Sequence, residues 1–240
     1  MSNSKLIICS SQKGVQRIRL ALPNYKSQII DIPNIIDFNY QSYKSSDYLN
    51  KIVRDNLTVN LCSVGRFHPS KRVMELVKKC PLEINGKRVK LTLAGYTSDL
   101  EYINLLKDLA KQRSLDLLIK DNASSTFIDE LHKNSDIFVS LSEIENFGNA
   151  IADALAHGLP VVINDKTDFW PNIEFSAIFL CSDHELELSI EKAMAFAKKY
   201  SLSERKHSFR KFWVKYNESK HFKLLNFISS FNSQNEVLEK

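Results

Sequence analysis

Between Asp136 and Ile163 the chain spells out a strand, a loop, a helix and a second strand, and that order restricts the fold to layered α/β architecture. Asp136-Ile-Phe-Val-Ser140 and Val161-Val-Ile163 are short β-branched and aromatic runs, the composition of strands buried on both faces. Between them, residues 149–157 are good helix formers with Ala150, Ile151, Ala154 and Leu155 on one face, and Gly158 and Pro160 stop the helix. The same alternation runs through the chain. Strands are predicted over 59–64, 89–94, 115–119, 137–141, 161–163 and 177–180, and helices over 71–79, 98–112, 125–134 and 149–157. Crossovers of this length are right-handed and give a parallel, doubly wound sheet with helices on both faces. Such sheets bind ligands at the carboxyl ends of their strands.

The loop before the 149–157 helix carries chemistry. Glu145 and Asp153 stand eight residues apart around Phe147-Gly148, and the first free backbone N–H groups, near Phe147 to Ala150, form an anion site at the positive end of the helix dipole. Asp153 lies one turn in, and its side chain leans back toward that end. Two acceptors flanking an anion site suit a ligand with hydroxyls on both sides of a phosphate, as in a nucleotide sugar. As ordinary charges beside a helix N-terminus, the same carboxylates would contribute only a few tenths of a kcal/mol, roughly 0.3 each. A second strand end follows the same logic: residues 59–64 run into Gly65, which permits a tight turn, then Arg66, with Lys71 opening the next helix. Both cations can reach a diphosphate there; taken alone, the segment also reads as a solvated basic loop.

With these residues on the page, the sequence resembles the nucleotide-sugar-binding half of the family 4 retaining glycosyltransferases, enzymes of two-domain GT-B architecture. Val64-Gly-Arg66 with Lys71 resembles that family's Gly-Arg and Lys pair. Leu91-Thr-Leu-Ala-Gly95 resembles its second strand, Ser140 to Pro160 its Glu-x7-Glu motif, and Asp31-Ile-Pro-Asn-Ile-Ile-Asp37 its interdomain link. The resemblance covers nearly all of residues 5–200, and Glu-Asn-Phe-Gly with Gly-Leu-Pro-Val-Val is its most specific part. It implies catalytic roles for Glu145, Arg66 and Lys71, substrate binding by Gly65, Phe147, Gly148, Asn149 and Asp153, no metal and no cofactor beyond the nucleotide-sugar substrate.

Three departures accompany the resemblance. Asp153 replaces the family's second Glu and is shorter by one methylene, about 1.5 Å. Ile35 replaces a Gly in the link, and 240 residues is short for two domains. The expected organisation is therefore a remnant of the acceptor-side domain at 1–37 (strand 5–10, helix 13–22, extended run 27–32), a linker or crossover at 38–57, a Rossmann-like nucleotide-sugar-binding domain at 58–200, C-terminal helices at 201–231 and a frayed tail at 232–240. The C-terminal helical pattern runs over 185–199, 203–216 and 221–231.

Composition sets the remaining bounds. With 43% hydrophobic and 25% charged residues the chain reads as one globular domain plus extensions. No apolar stretch approaches the roughly 20 residues needed to span a bilayer, and Met1-Ser-Asn-Ser-Lys5 is not a secretory signal, so the reading is cytoplasmic. Cys9, Cys62, Cys80 and Cys181 read as small buried hydrophobes. The six histidines show no metal-ligand spacing and most read as surface or loop residues; Asp165-Lys-Thr-Asp168 reads as a turn with Asp caps. Walker, dinucleotide and nucleophile-elbow motifs are absent.

The net charge of +5 is concentrated in 198–223, where Phe209, Phe212, Trp213 and Tyr216 interleave with nine Lys and Arg. Two readings stand: core aromatics with a solvated basic face, which is preferred, or a helix resting peripherally on an anionic membrane leaflet. Nucleic acid is not expected, since no binding motif accompanies the charge. Two functional classes follow. One is the donor-binding part of a retaining glycosyltransferase that needs an acceptor domain or partner chain; the other is a noncatalytic nucleotide-sugar-binding or assembly module.

Overall fold

The protein is described from a computed structural model over residues 6–10, 12–26, 28–32, 34, 57–97, 99–145, 147–167, 177–182, 184–215 and 225. A small parallel pair, β1 (Leu6–Cys9) and β2 (Gln28–Asp31), is joined by α1 (Gln12–Ala21). The main sheet is built from β3 (Thr58–Arg66), β4 (Glu83–Ile84), β5 (Lys87–Tyr96), β6 (Asp116–Asp121), β7 (Ile137–Ser140), β8 (Val161–Asn164) and β9 (Ile178–Cys181). Its helices are α2 (Val73–Lys79), α3 (Leu100–Gln112), α4 (Ser125–Asn134), α5 (Asn149–Ala156) and α6 (Leu186–Lys199), and residues 202–215 are also helical.

The expected Rossmann-like sheet is present. All strand pairs are parallel except β4 with β5, and from β3 the chain works outward to β5 and β6, then returns to β7, β8 and β9 on the other side of β3. The order reverses between β3 and β7, so a crevice opens beyond the carboxyl ends of those two strands. Strand alternation feeds two cores. Val59, Leu61, Leu91, Leu93, Ile137 and Val139 pack on one face against α2, α3 and α6, while Cys62, Phe138, Val161 and Ile163 pack on the other against α5, Phe209 and Trp213. Burial on both faces explains the unbroken apolar runs, each fully buried Leu or Ile contributing about 1.5–3 kcal/mol.

Local chemistry fixes the helix ends. Asp99 accepts from the Tyr102 backbone N–H at 3.0 Å, which starts α3 at Leu100 rather than at 98, and Ser124 accepts from Phe127 N–H at 3.2 Å to start α4 where expected.

Three expectations are corrected. The single helix expected over 71–79 is split: Pro69–Lys71 form a 3-10 turn, Arg72 is left-handed at φ 52°, and α2 begins only at Val73. Gly65 makes no tight turn but continues β3, paired with Gly95. In the 165–167 turn Asn164 accepts from Lys166 N–H at 2.8 Å, and Asp168 of the expected Asp-capped turn lies outside the described residues. His132 is not a surface residue; it is 1% exposed. The expected linker at 38–57 apart from Leu57, the 221–231 helix apart from Leu225, and the tail lie outside the described residues.

The Gly65–Gly95 pair demands its composition on one side only. A Cβ on Gly95 would lie 1.8 Å from the Gly65 carbonyl oxygen, whereas one on Gly65 would meet nothing within 4 Å. Gly95→Ala is expected to cost about 1–3 kcal/mol as forced overpacking, and Gly65→Ala under about 0.5 kcal/mol. Urea denaturation of the two variants checks the asymmetry, and equal losses would show that the strands separate freely.

Phe209 and Trp213 are 0% and 1% exposed, so the preferred reading of these two aromatics holds. Arg210, Lys211 and Lys215 remain exposed beside them. No helix among the described residues is long and apolar enough to cross a membrane. Cys62, Cys80 and Cys181 are buried free thiols, burial pushing Cys62 and Cys80 up to about 12; Cys9 is only partly buried.

Candidate functional site

The crevice beyond β3 and β7 is bordered by the turn 67–72 and by residues 141–145 and 147–148. The loop is pinned from below: Ser142 is buried, its hydroxyl donates to the Ile144 carbonyl at 3.0 Å, and the Thr167 hydroxyl donates to the Ser142 carbonyl at 2.6 Å. The turn is held by His68, whose Nδ1 accepts from Ser70 N–H at 3.2 Å.

Two ion pairs join turn to loop. Lys71 Nζ lies 2.6 Å from Glu145 Oε1, and Arg72 lies 2.7 Å from Glu143 Oε1. The first pair brings together two residues that the sequence reading assigned to separate parts of the site. Both members are well covered, with Lys71 22% and Glu145 14% exposed. The second pair was not anticipated, because nothing in a sequence marks two residues 71 apart as partners. Arg66 is exposed at the carboxyl end of β3.

The loop ends at Gly148, whose φ of 76° is left-handed, a conformation that costs an L-residue energy and glycine none. Gly148 caps α5 without a side chain, which leaves the first-turn N–H groups facing the crevice, while its carbonyl accepts from Ala152 N–H at 3.0 Å. The Phe147 side chain is 3% exposed, edge-on to Trp213 at 5.6 Å, so its backbone rather than its ring stands at the start of α5. Asn149 is exposed and accepts from Asn34 Nδ2 at 2.9 Å, a link between the short N-terminal segment and the start of α5.

Asp153 shares the outer face of α5 with Asn149, four residues away. Although solvent reaches it, enough protein crowds its carboxyl to raise the pKa by desolvation, an effect that His157 opposes. The structure thus gathers Arg66, Lys71, Glu145 and the N-terminus of α5 at the strand ends, with Asp153 one turn behind.

The arrangement of sheet and helices is that of the GT-B fold, and sequence comparison assigns the chain to a family of the same class. The family described as "Glycosyl transferases group 1" matches residues 48–211, and the chain belongs to that family. A curated relative, mannosylglucosylglycerate synthase of Petrotoga mobilis, is 25% identical over 197 residues, 66% of this chain and 45% of the relative.

Among solved structures, sucrose-phosphate synthase from Thermosynechococcus elongatus superposes with a TM-score of 0.73 at 16% identity, over 97% of this chain and 60% of that one. Anabaena Alr3699/HepE in complex with UDP-glucose superposes at 0.67 and 19% identity, over 93% of this chain and 64% of that one. The chain therefore spans about half the length of the curated relative and less than two thirds of these structures.

Proposed function

We propose that this chain is the donor-binding part of a glycosyltransferase that moves a sugar from a nucleoside-diphosphate sugar to an acceptor with retention of configuration, without a metal. The observation that carries the reading is the convergence of Arg66, Lys71, Glu145 and the uncapped start of α5 at the point where the strand order reverses. Arg66, Lys71 and the α5 N–H groups meet the diphosphate. Charge grows there as the glycosidic bond breaks, so fixed positive groups in a partly desolvated crevice lower the barrier. Glu145 accepts hydroxyls of the sugar and Asp153 those of the ribose. The short relative length supports an acceptor domain, or a partner chain, supplying the rest of the enzyme. That a structural neighbour holds UDP-glucose supports a nucleotide-sugar ligand. The exposed Arg210, Lys211 and Lys215 leave a membrane contact only an electrostatic component.

A second reading has one observation in its favour. Lys71 and Glu145 neutralise each other at 2.6 Å, as they would in a noncatalytic binding or assembly module whose site is disused. Calorimetry separates the two. Under the donor reading UDP, GDP or ADP binds more tightly than its monophosphate, by about tenfold for one added charged hydrogen bond. Asp153→Glu keeps or improves that affinity, whereas Asp153→Ala weakens it by about 1 kcal/mol. Equal or absent binding of all six nucleotides removes the donor reading.

A further inference from the structure

At the opposite pole, where the amino ends of β3, β5 and β7 meet the carboxyl ends of α4, α5 and α6, a cleft of about 360 Å³ opens. That is the size of a small-metabolite pocket. Its floor holds His132, 1% exposed, with neither ring nitrogen hydrogen-bonded. A buried polar group without a partner costs about 1–3 kcal/mol, a penalty that a ligand entering the cleft can relieve. A neutral imidazole offers one donor and one acceptor, the complement of a hydroxyl, which both accepts and donates.

The rim is cationic. Lys87 from β5 and Lys198 from α6 line the opening, and no carboxylate pairs with either among the described residues. Helix carboxyl ends would ordinarily disfavour an anion, but here Arg205 already donates to the carbonyls of Gly158, Ala197 and Tyr200. Asp136, the acidic residue of the lining, is engaged by the Asn60 backbone N–H at 2.8 Å. The two lysines are therefore surplus positive charge. Met194 and Leu202 give one wall an apolar surface suited to the carbon skeleton of a ligand.

We propose that this cleft is a second ligand site, distinct from the crevice beyond β3 and β7, and that it takes a small hydroxylated anion: a polyol bearing one phosphate or carboxylate, its charge on Lys87 and Lys198 and a hydroxyl on His132. The site stands independently of the donor reading.

The test is calorimetry on the full chain with glucose 6-phosphate, gluconate and glucose as probes. It is run on the native protein and on Arg66→Ala/Lys71→Ala, which removes anion binding at the strand carboxyl ends. The expected result is that at least one anionic probe binds equally to both proteins and about tenfold or more tightly than glucose. Lys87→Ala and Lys198→Ala each weaken it by about fivefold or more, and His132→Leu by about tenfold. Should His132→Leu fail to fold, the two rim lysine variants decide alone. Binding that disappears in Arg66→Ala/Lys71→Ala overturns the proposal, as does binding indifferent to Lys87 and Lys198. No binding of either anion overturns it too, and leaves a cleft filled by water.

Discussion

Lys71→Ala is expected to weaken nucleoside-diphosphate binding by roughly 100-fold, against roughly tenfold for Arg66→Ala. Two effects add in the first variant. One charge-assisted contact with phosphate is lost, and Glu145, 14% exposed, keeps a carboxylate that now repels the ligand it formerly received alongside an ammonium. Arg66 stands in water at the end of β3, so its removal forfeits only a screened contact. The same asymmetry extends to stability: Lys71→Ala is expected to cost about 1–2 kcal/mol, below the value for a fully buried pair because both side chains keep some solvent, and Arg66→Ala almost nothing. The check is UDP calorimetry with thermal melts for each variant and for Lys71→Ala/Glu145→Gln. Removing the stranded charge should restore about tenfold of the affinity and most of the stability. A double variant no better than Lys71→Ala would show that Glu145 does not face the phosphate.

The second large effect is a pH limb. His132 lies within the fold, 4.9 Å ring to ring from His157, and edge-on to Phe138 at 6.1 Å. Burial, reinforced by His157 and opposed by Asp129 on its own helix, lowers its pKa from 6.5 to about 3. Below pH 6.5 the unfolded chain therefore takes up a proton that the folded chain refuses, and stability falls as pH drops from 6.5 toward 3. The loss is on the order of 4 kcal/mol at the acid end. His157 and Asp129 lie 2.8 Å apart across α4 and α5. Burial works against the Asp129 carboxylate, but Lys133 and His157 outweigh it and hold its pKa below the usual value, so this contact also loses strength in acid. His132→Leu should flatten the limb between pH 6 and 4 while leaving the part due to Asp129, as urea midpoints at half-unit steps would record. An unchanged acid limb would mean that His132 is hydrated in the folded protein.

How far the sequence discloses the fold depends on what each element answers to. β7 and β8 are sheathed on both faces and read as short apolar runs, β3 and β5 carry such runs at their centres, and the limits of all four fall within two residues of expectation. α3 and α4 begin where a carboxylate or hydroxyl can cap them. The missed β4 was signposted by Asn85-Gly86, whose φ values of 51° and 73° make the tight turn into β5. The break at Arg72 carried no such sign, since arginine rarely adopts φ 52° and only the surroundings can impose it. His132 was hidden differently. One polar residue on an amphipathic helix looks the same from sequence whether it faces water or the sheet.

Within the site, the residue types were legible and their pairings were not. Glu145 and Lys71 each suggested a ligand contact, yet they meet one another across 74 residues. Phe147 was legible as part of the helix start, but nothing in the sequence paired its ring with Trp213, which it meets edge-on. The glycine with a steric reason proved to be Gly95, on the neighbouring strand, rather than Gly65.

The left-handed step at Arg72 has a mechanical side. One ion pair between two loops sets a separation and leaves them free to pivot. Two pairs made by consecutive residues on one loop and alternate residues on the other, Lys71 to Glu145 and Arg72 to Glu143, also remove the pivot. Were Arg72 helical, its side chain would point about 100° around the helix axis from that of Lys71, and one of the two contacts would be out of reach. By reversing the local hand, the chain turns two neighbouring cations toward one target and gives up a rotational degree of freedom between the turn after β3 and the loop before α5. The cations and the carboxylate then keep a fixed mutual bearing, so a ligand arriving there has less protein left to organise.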